Sequence, residues 1–112
     1  MKASTVRKHA LSLPEATEQP HFDYTSFRVR GKIFATMPPD EKHLHVFVAE
    51  EQRKAFLAMS LPWIAELPWG KKIVGLRISL SEADPAVVKQ LLGFAWQNKA
   101  PKGLQVSFGD LA

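Results

Sequence analysis

The chain has 112 residues, of which 46% are hydrophobic and 10% aromatic. This composition excludes an intrinsically disordered chain, and the length favours a single domain, residues 1–112, with a core of its own. The absence of cysteine excludes disulfides, thiolate metal sites and cysteine nucleophiles, and it fits a reducing cytoplasm. The net charge of +4 favours anionic partners without selecting one.

The N-terminal segment carries Lys2, Arg7 and Lys8, and it lacks the uninterrupted apolar stretch of a signal peptide. No apolar run approaches the length that spans a bilayer. We therefore expect a cytoplasmic protein that is neither secreted nor embedded in a membrane.

The first predicted element is a helix over residues 4–12, which ends where Pro14 disfavours helical geometry in its predecessor. The segment from Pro14 to Pro20 has two prolines with polar residues between them, which indicates a loop. Alternating apolar and polar residues then indicate three strands in an antiparallel meander. These strands are residues 25–30, 33–37 and 43–48. Gly31 and Lys32 are expected at the centre of a type II′ turn.

The second half of the chain predicts a short helix that starts at Glu50, a strand over residues 72–80 and a final helix over residues 85–99. The segment between the first two contains Pro68, so it is either an edge strand or irregular. Gly75 indicates a bulge or close packing within its strand. The tail from Lys102 to Ala112 is predicted either to fray or to add a weak strand.

Several short segments recur here in a familiar order. They are Leu13-Pro14-Glu15-Ala16 with Thr17-Glu18, then Phe27-Arg28-Val29-Arg30-Gly31-Lys32-Ile33-Phe34-Ala35, then Ala95-Trp96 with Ala100-Pro101-Lys102. Together they resemble the MmcQ/YjbR family over about residues 3–104. The resemblance implies an α+β domain of two layers, an antiparallel sheet with helices on one face, in the order α-βββ-α-β(β)-α.

That arrangement is similar to type III secretion chaperone-like folds and to the double-wing domains of certain transcription factors. Members of the family are commonly described as DNA-binding because of this likeness in shape. A shared fold does not by itself imply a shared function. The family supplies no catalytic or metal-binding residues to carry over to this chain.

The strongest functional candidate from the residues themselves is the predicted hairpin that bears Arg28, Arg30 and Lys32. Guanidinium and ammonium groups on one protruding ribbon can contact phosphates, and Lys71 and Lys72 start a neighbouring strand. The competing interpretation is a solvated sheet face whose charges prevent edge-to-edge aggregation.

Trp63 and Trp69 flank the segment that contains Pro68, where one or both are candidates to line a groove for a peptide or small ligand. The competing interpretation is a loop fixed to the core by its aromatic side chains. Trp96 is expected in the core, on the buried face of the last helix.

The evidence for catalysis or a metal site is weak. His43 and His45 share a strand face and are candidate metal ligands together with His21 or His9, but no cysteine or paired carboxylate supports them. A hydrolase needs a nucleophile, a base and an acid, and the spacing of the candidate polar residues does not specify such a set. These residues are Asp23, Tyr24, Ser26 and Asp40. We expect no metal, no cofactor and no enzymatic activity.

The leading hypothesis is therefore a small binding protein that contacts DNA through the basic hairpin of Arg28, Arg30 and Lys32. The alternative is a protein or peptide interaction module with a chaperone-like fold. A monomer is favoured in either case.

Overall fold

A computed structural model gives the structure of residues 1–104. Three complete helices and six strands lie within this range, and residues 102–104 are also helical. In chain order they are α1 (Ala3–Ser12), β1 (Ala16–His21), β2 (Tyr24–Val29), β3 (Lys32–Met37), β4 (His43–Val46), α2 (Glu50–Leu57), β5 (Ile64–Trp69), β6 (Lys72–Ser79) and α3 (Pro85–Lys99). The predicted α+β class with an antiparallel sheet is confirmed. The first residues of the predicted tail, 102–104, are helical and do not form a strand, and from residue 105 onward the prediction lies outside the described residues.

The six strands form one sheet in the order β1-β2-β3-β4-β6-β5, with every neighbouring pair antiparallel. The helices pack on one face of the sheet, where the inward side chains of the four inner strands, β2, β3, β4 and β6, are apolar. We call the opposite side the open face. Among the described helices, none has the length and apolarity that a bilayer crossing requires.

Helix α3 forms the centre of the helical layer, and its predicted apolar face is confirmed. The buried residues of this face include Val88, Leu91, Leu92, Ala95 and Trp96. The Trp96 indole Nε1 donates to the carbonyl of Pro14 at 2.9 Å, which ties α3 to the connection between α1 and β1. At its start, the Asp84 side chain accepts a hydrogen bond from the backbone N–H of Ala86 at 2.9 Å and caps the helix.

The prediction of a loop from Pro14 to Pro20 was wrong, because Ala16–His21 forms the edge strand β1. Four of its six residues are exposed, so the strand lacks the apolar alternation that reveals a half-buried strand. Pro20 is tolerated because an edge strand pairs on one side only. Strand β5 is the other edge and contains Pro68, in agreement with the edge-strand option.

The predicted type II′ turn was also wrong. Arg30 and Gly31 are the two central residues of the β2–β3 turn, and both have positive φ, at 50° and 81°. Positive φ at both positions is the signature of a type I′ turn. The Arg30 guanidinium makes two hydrogen bonds to Glu15, Nε to Oε1 at 2.6 Å and Nη2 to Oε2 at 2.9 Å.

Close packing at Gly75 is confirmed. A Cβ atom at this position would lie 2.1 Å from the carbonyl oxygen of Val46 and 3.2 Å from the Cα of Phe47. The same stretch of β6 also carries a bulge, because Leu67 pairs with Gly75 and Pro68 pairs with Ile73, which leaves Val74 as the extra residue.

We expect Gly75→Ala to lower the free energy of unfolding by about 3 kcal/mol, because the new methyl group meets backbone that can move only by separating β4 from β6. Urea unfolding measures this change. Gly103→Ala is the matched control, since its Cβ has nothing within 4 Å, and we expect a change of no more than about 0.5 kcal/mol. Equal effects of the two substitutions would contradict the packing argument.

Candidate ligand-binding groove and basic wings

A row of polar residues crosses the middle of the open face. Ser26, Thr36, His45 and Arg77 are register partners from β2 through β3 and β4 to β6. Ser26 and Thr36 are buried although they lie on this face. The Ser26 hydroxyl donates to the carbonyl of Gln19 at 2.7 Å and accepts from Arg28 Nε at 3.0 Å, so its hydrogen-bonding capacity is used.

A groove of about 770 Å³ lies over this polar row. Its walls come from the β1–β2 hairpin at one edge of the sheet and the β5–β6 hairpin at the other, with Thr36, His45 and Phe47 between them. Two large apolar side chains of these hairpins are exposed, Phe22 at 91% and Trp69 at 75%. An apolar surface of this kind next to a groove is typical of a binding site.

Two bulges shape the groove. The first lies on β3, where Phe27 pairs with Ala35 and Arg28 pairs with Ile33, leaving Phe34 as the extra residue. The second is the bulge at Val74. Because a bulge bends its strand and re-aims the side chains beside it, both Ile33 and Val74 come to line the groove.

His45 is the polar group at the floor of the groove. Its Nδ1 lies 3.5 Å from the Thr36 hydroxyl, and its ring centroid lies 6.0 Å from that of Tyr24. Its Nε2 is buried and has no hydrogen-bond partner within residues 1–104. Burial lowers the pKa of His45, and the positive charges of Arg77 and His43 lower it further against the opposing effect of Asp40, so the ring is neutral at pH 7.

Basic residues collect at one end of the sheet. The alternating strand directions put the β2–β3 and β5–β6 turns at the same end, where the exposed residues Lys32, Lys71 and Lys72 lie. Strand β4 ends at Val46, opposite Ala35 and Leu76, so both hairpins continue past it by roughly 10 Å. We call these two projecting hairpin ends the wings.

The opposite end of the sheet is acidic. Its connections contain five acidic residues and one lysine; these are Asp23, Asp40, Glu41, Glu82, Asp84 and Lys42. Three acidic residues of the described chain lie near the basic end, and two of them are paired, Glu15 with Arg30 and Glu50 with Lys54. The ammonium group of Met1 also lies at the acidic end, where it donates to the Leu80 carbonyl, so the polarity along the strand direction is that of the connections between the elements.

The structure separates the five basic residues of the sequence hypothesis. Arg28 is half-buried on the open face beside Ser26. Arg30 is held by Glu15, and its hydrogen bond lowers the pKa of the Glu15 carboxyl, so much of its charge is already neutralised. Within residues 1–104, Lys32, Lys71 and Lys72 make no ion pair.

The two tryptophans of the groove hypothesis lie in different environments. Trp69 lines the groove and is exposed, whereas Trp63 is 8% exposed and belongs to the hydrophobic core. Sequence reasoning missed Tyr24, Thr36 and Phe47 as groove residues. The signal available for Thr36 was its polar character in an otherwise apolar strand.

The histidines weighed as metal ligands do not converge on one point. His43 Nδ1 lies 3.0 Å from Asp40 Oδ2, whereas His45 lies against Thr36 and Tyr24. His9 is on α1, on the other side of the sheet. In the part of the chain that the structure describes, no three potential metal-ligating side chains come together.

The lowered pKa of His45 predicts a loss of stability in acid. Because the unfolded histidine binds a proton more readily than the folded one, stability is present above the unfolded pKa of about 6.5 and falls as the pH drops through it. Between about pH 7.5 and about pH 5, we expect the melting temperature of His45→Gln to fall less than that of the wild type. His9, whose pKa is lowered by burial and by Lys89, stays in both proteins and serves as the common background. Identical pH profiles would exclude His45 as a contributor.

A YjbR family model matches residues 11–98 of the chain. A crystal structure of the Deinococcus radiodurans protein DR2400, described with a DUF419 domain, superposes with a TM-score of 0.74 at 17% sequence identity. The match covers 87% of this chain and 77% of that one, and at this identity it shows the fold alone. No curated protein matches the chain. Since the family model spans most of the described residues, the chain belongs to the YjbR family.

Proposed function

We propose that this protein binds nucleic acid through the basic end of its sheet, with phosphates held by the lysines of the two wings. The observation that carries the proposal is the placement of Lys32, Lys71 and Lys72, exposed and without ion pairs in the described chain, at one end of the sheet. The acidic loops lie at the other end. An anionic polymer is therefore attracted to one end and repelled from the other.

The spacing of the wings suits a phosphate backbone. Lys32 starts β3 and Lys72 starts β6, and in the sheet these strands lie on either side of β4. Two interstrand spacings separate them by about 10 Å. Beyond the end of β4, Phe47 stays beside β3 through its N–H, which bonds to the Phe34 carbonyl at 3.0 Å, and the two wings project on either side of it.

The role of each residue differs from that in the sequence hypothesis. Arg30 is paired with Glu15, so it contributes less to phosphate binding than an unpaired lysine does. Arg28 faces the open side of the sheet and not the tip of the wing. The lysines of both hairpins, and not the arginines of one, are the principal contacts in this proposal.

Phosphate contacts of this kind give affinity without base specificity and make binding sensitive to salt. Three contacts correspond to a log–log salt slope of roughly −2 to −3. The alternative function is the binding of a protein or peptide in the groove, and the exposed Phe22 and Trp69 support it. Binding of an apolar peptide should depend little on salt.

The test is fluorescence anisotropy of a short labelled oligonucleotide titrated with the protein across a salt series. We expect Lys71→Glu with Lys72→Glu to weaken binding by more than tenfold at low salt and to reduce the magnitude of the salt slope by roughly 1 to 2, since two phosphate contacts are lost. Lys32→Glu should lower the slope by about 0.9.

Lys42→Glu is the matched control, because it reverses one exposed lysine at the acidic end of the sheet. We expect its affinity to stay near the wild-type value. An equal loss in Lys42→Glu and Lys32→Glu would show that binding follows net charge and not the wings. No binding by the wild type at low salt would remove the nucleic-acid function and leave the peptide alternative.

A further inference from the structure

The groove on the open face has the chemistry of a site for a flat ring with polar edges. Tyr24, Phe47 and Leu67 give it apolar and aromatic walls, and His45 gives it one hydrogen-bonding group at the floor. The Nε2 atom of His45 is buried without a partner in the described chain, which is unfavourable unless a ligand or solvent satisfies it. A planar heterocycle fits between the aromatic walls and also provides a hydrogen-bonding partner for His45 Nε2.

The size and shape of the groove further limit the class of ligand that fits it. The volume of about 770 Å³ lies within the range of small-molecule sites. The groove is open along its length between the two hairpins, so a ring can enter while the chain attached to it continues outside. This shape fits one residue of a polymer.

The charged side chains around the groove indicate which class of polymer it suits. Lys99, at the end of α3, lines the groove, and its neighbour Asn98 donates to the carbonyl of Phe47 at 2.8 Å, which brings the helix end to this position. Lys72 is the register partner of Trp69, so a cation lies one strand away from the exposed indole. The acidic residue among those lining the groove, Asp23, belongs to the acidic end. An aromatic body with an anionic backbone complements this arrangement.

We propose that the groove binds an unpaired nucleobase of a single strand, with the polar edge of the base on His45 Nε2 and the flanking phosphates on Lys72 and Lys99. The inference rests on the proposed nucleic-acid function and names the form of nucleic acid. Trp69 offers its exposed ring as a platform on which the adjacent base stacks. Because Nε2 is covered in the free protein, this bond requires the side chains around it to move.

A consequence is a preference for single strands. In a duplex each base is stacked and paired, so a base reaches the groove only after it leaves the stack. The lysines of the wings contact phosphates in either form. Wild-type protein should therefore bind a single strand more tightly than a duplex of the same sequence at the same salt concentration.

The experiment measures anisotropy of a labelled single strand and the matched labelled duplex with four proteins: wild type, His45→Phe, His45→Gln and Trp69→Ala. We expect the wild type to bind the single strand at least about tenfold more tightly, and His45→Phe and Trp69→Ala each to lose about tenfold for the single strand with little change for the duplex. His45→Gln keeps a donor and an acceptor and should restore part of the affinity that His45→Phe loses. Thermal melts of all four proteins confirm that they are folded.

The two proposals fail in different ways. Salt-dependent binding with equal affinity for single strand and duplex, unchanged in His45→Phe and Trp69→Ala, would overturn the nucleobase site and leave the wings as the binding surface. Absence of binding to either oligonucleotide at low salt would overturn both. Loss of single-strand binding in His45→Phe without rescue in His45→Gln would show that the histidine supports the groove structurally and does not bond the base.

Discussion

The passage of β6 against β4 at Gly75 is the contact on which the rest of the molecule depends. Strands β1 to β4 follow one another along the chain, whereas β6 reaches β4 only after α2 and β5. The missing side chain lets the Val46 carbonyl lie where a Cβ would be. This approach joins the two hairpins into one sheet and brings Arg77 beside His45. The polar row, the groove and the relative position of the wings all follow from it.

The two faces of the sheet have different roles: the inner face stabilises the fold, and the open face carries the candidate binding residues. The inner face and α3 bury the largest apolar side chains, among them Phe27, Phe34 and Trp96, and this burial supplies most of the stabilisation. On the open face, the buried Ser26 is held by its hydrogen bonds to Gln19 and Arg28, whereas His45 Nε2 has no partner among the described residues. Binding residues can therefore change with little effect on the core, which is the usual relation between a rigid scaffold and its site.

Much of the fold was predictable because local sequence patterns indicate its helices and strands. The apolar spacing of α3 and the alternation in β2 and β3 indicate their elements directly. Strand β1 was not predictable from burial, since it buries too little to show a pattern. The type I′ turn requires a positive φ at Arg30, which an arginine rarely adopts, so the sequence favoured a register with glycine at the first central position. The groove draws Tyr24, His45 and Trp69 from three strands, and no local signal distinguishes Trp69 from the buried Trp63.

The prolines of the two outermost strands have a consequence for assembly. Pro20 and Pro68 each lack the N–H that an incoming strand would bond, and both stand within the edges of the sheet and not at their ends. Lateral growth of the sheet from chain to chain is therefore interrupted on both sides. A protein with an exposed aromatic groove is prone to fibrillar association if its edges are free. Interruption at both edges therefore disfavours an amyloid-like stack of this protein.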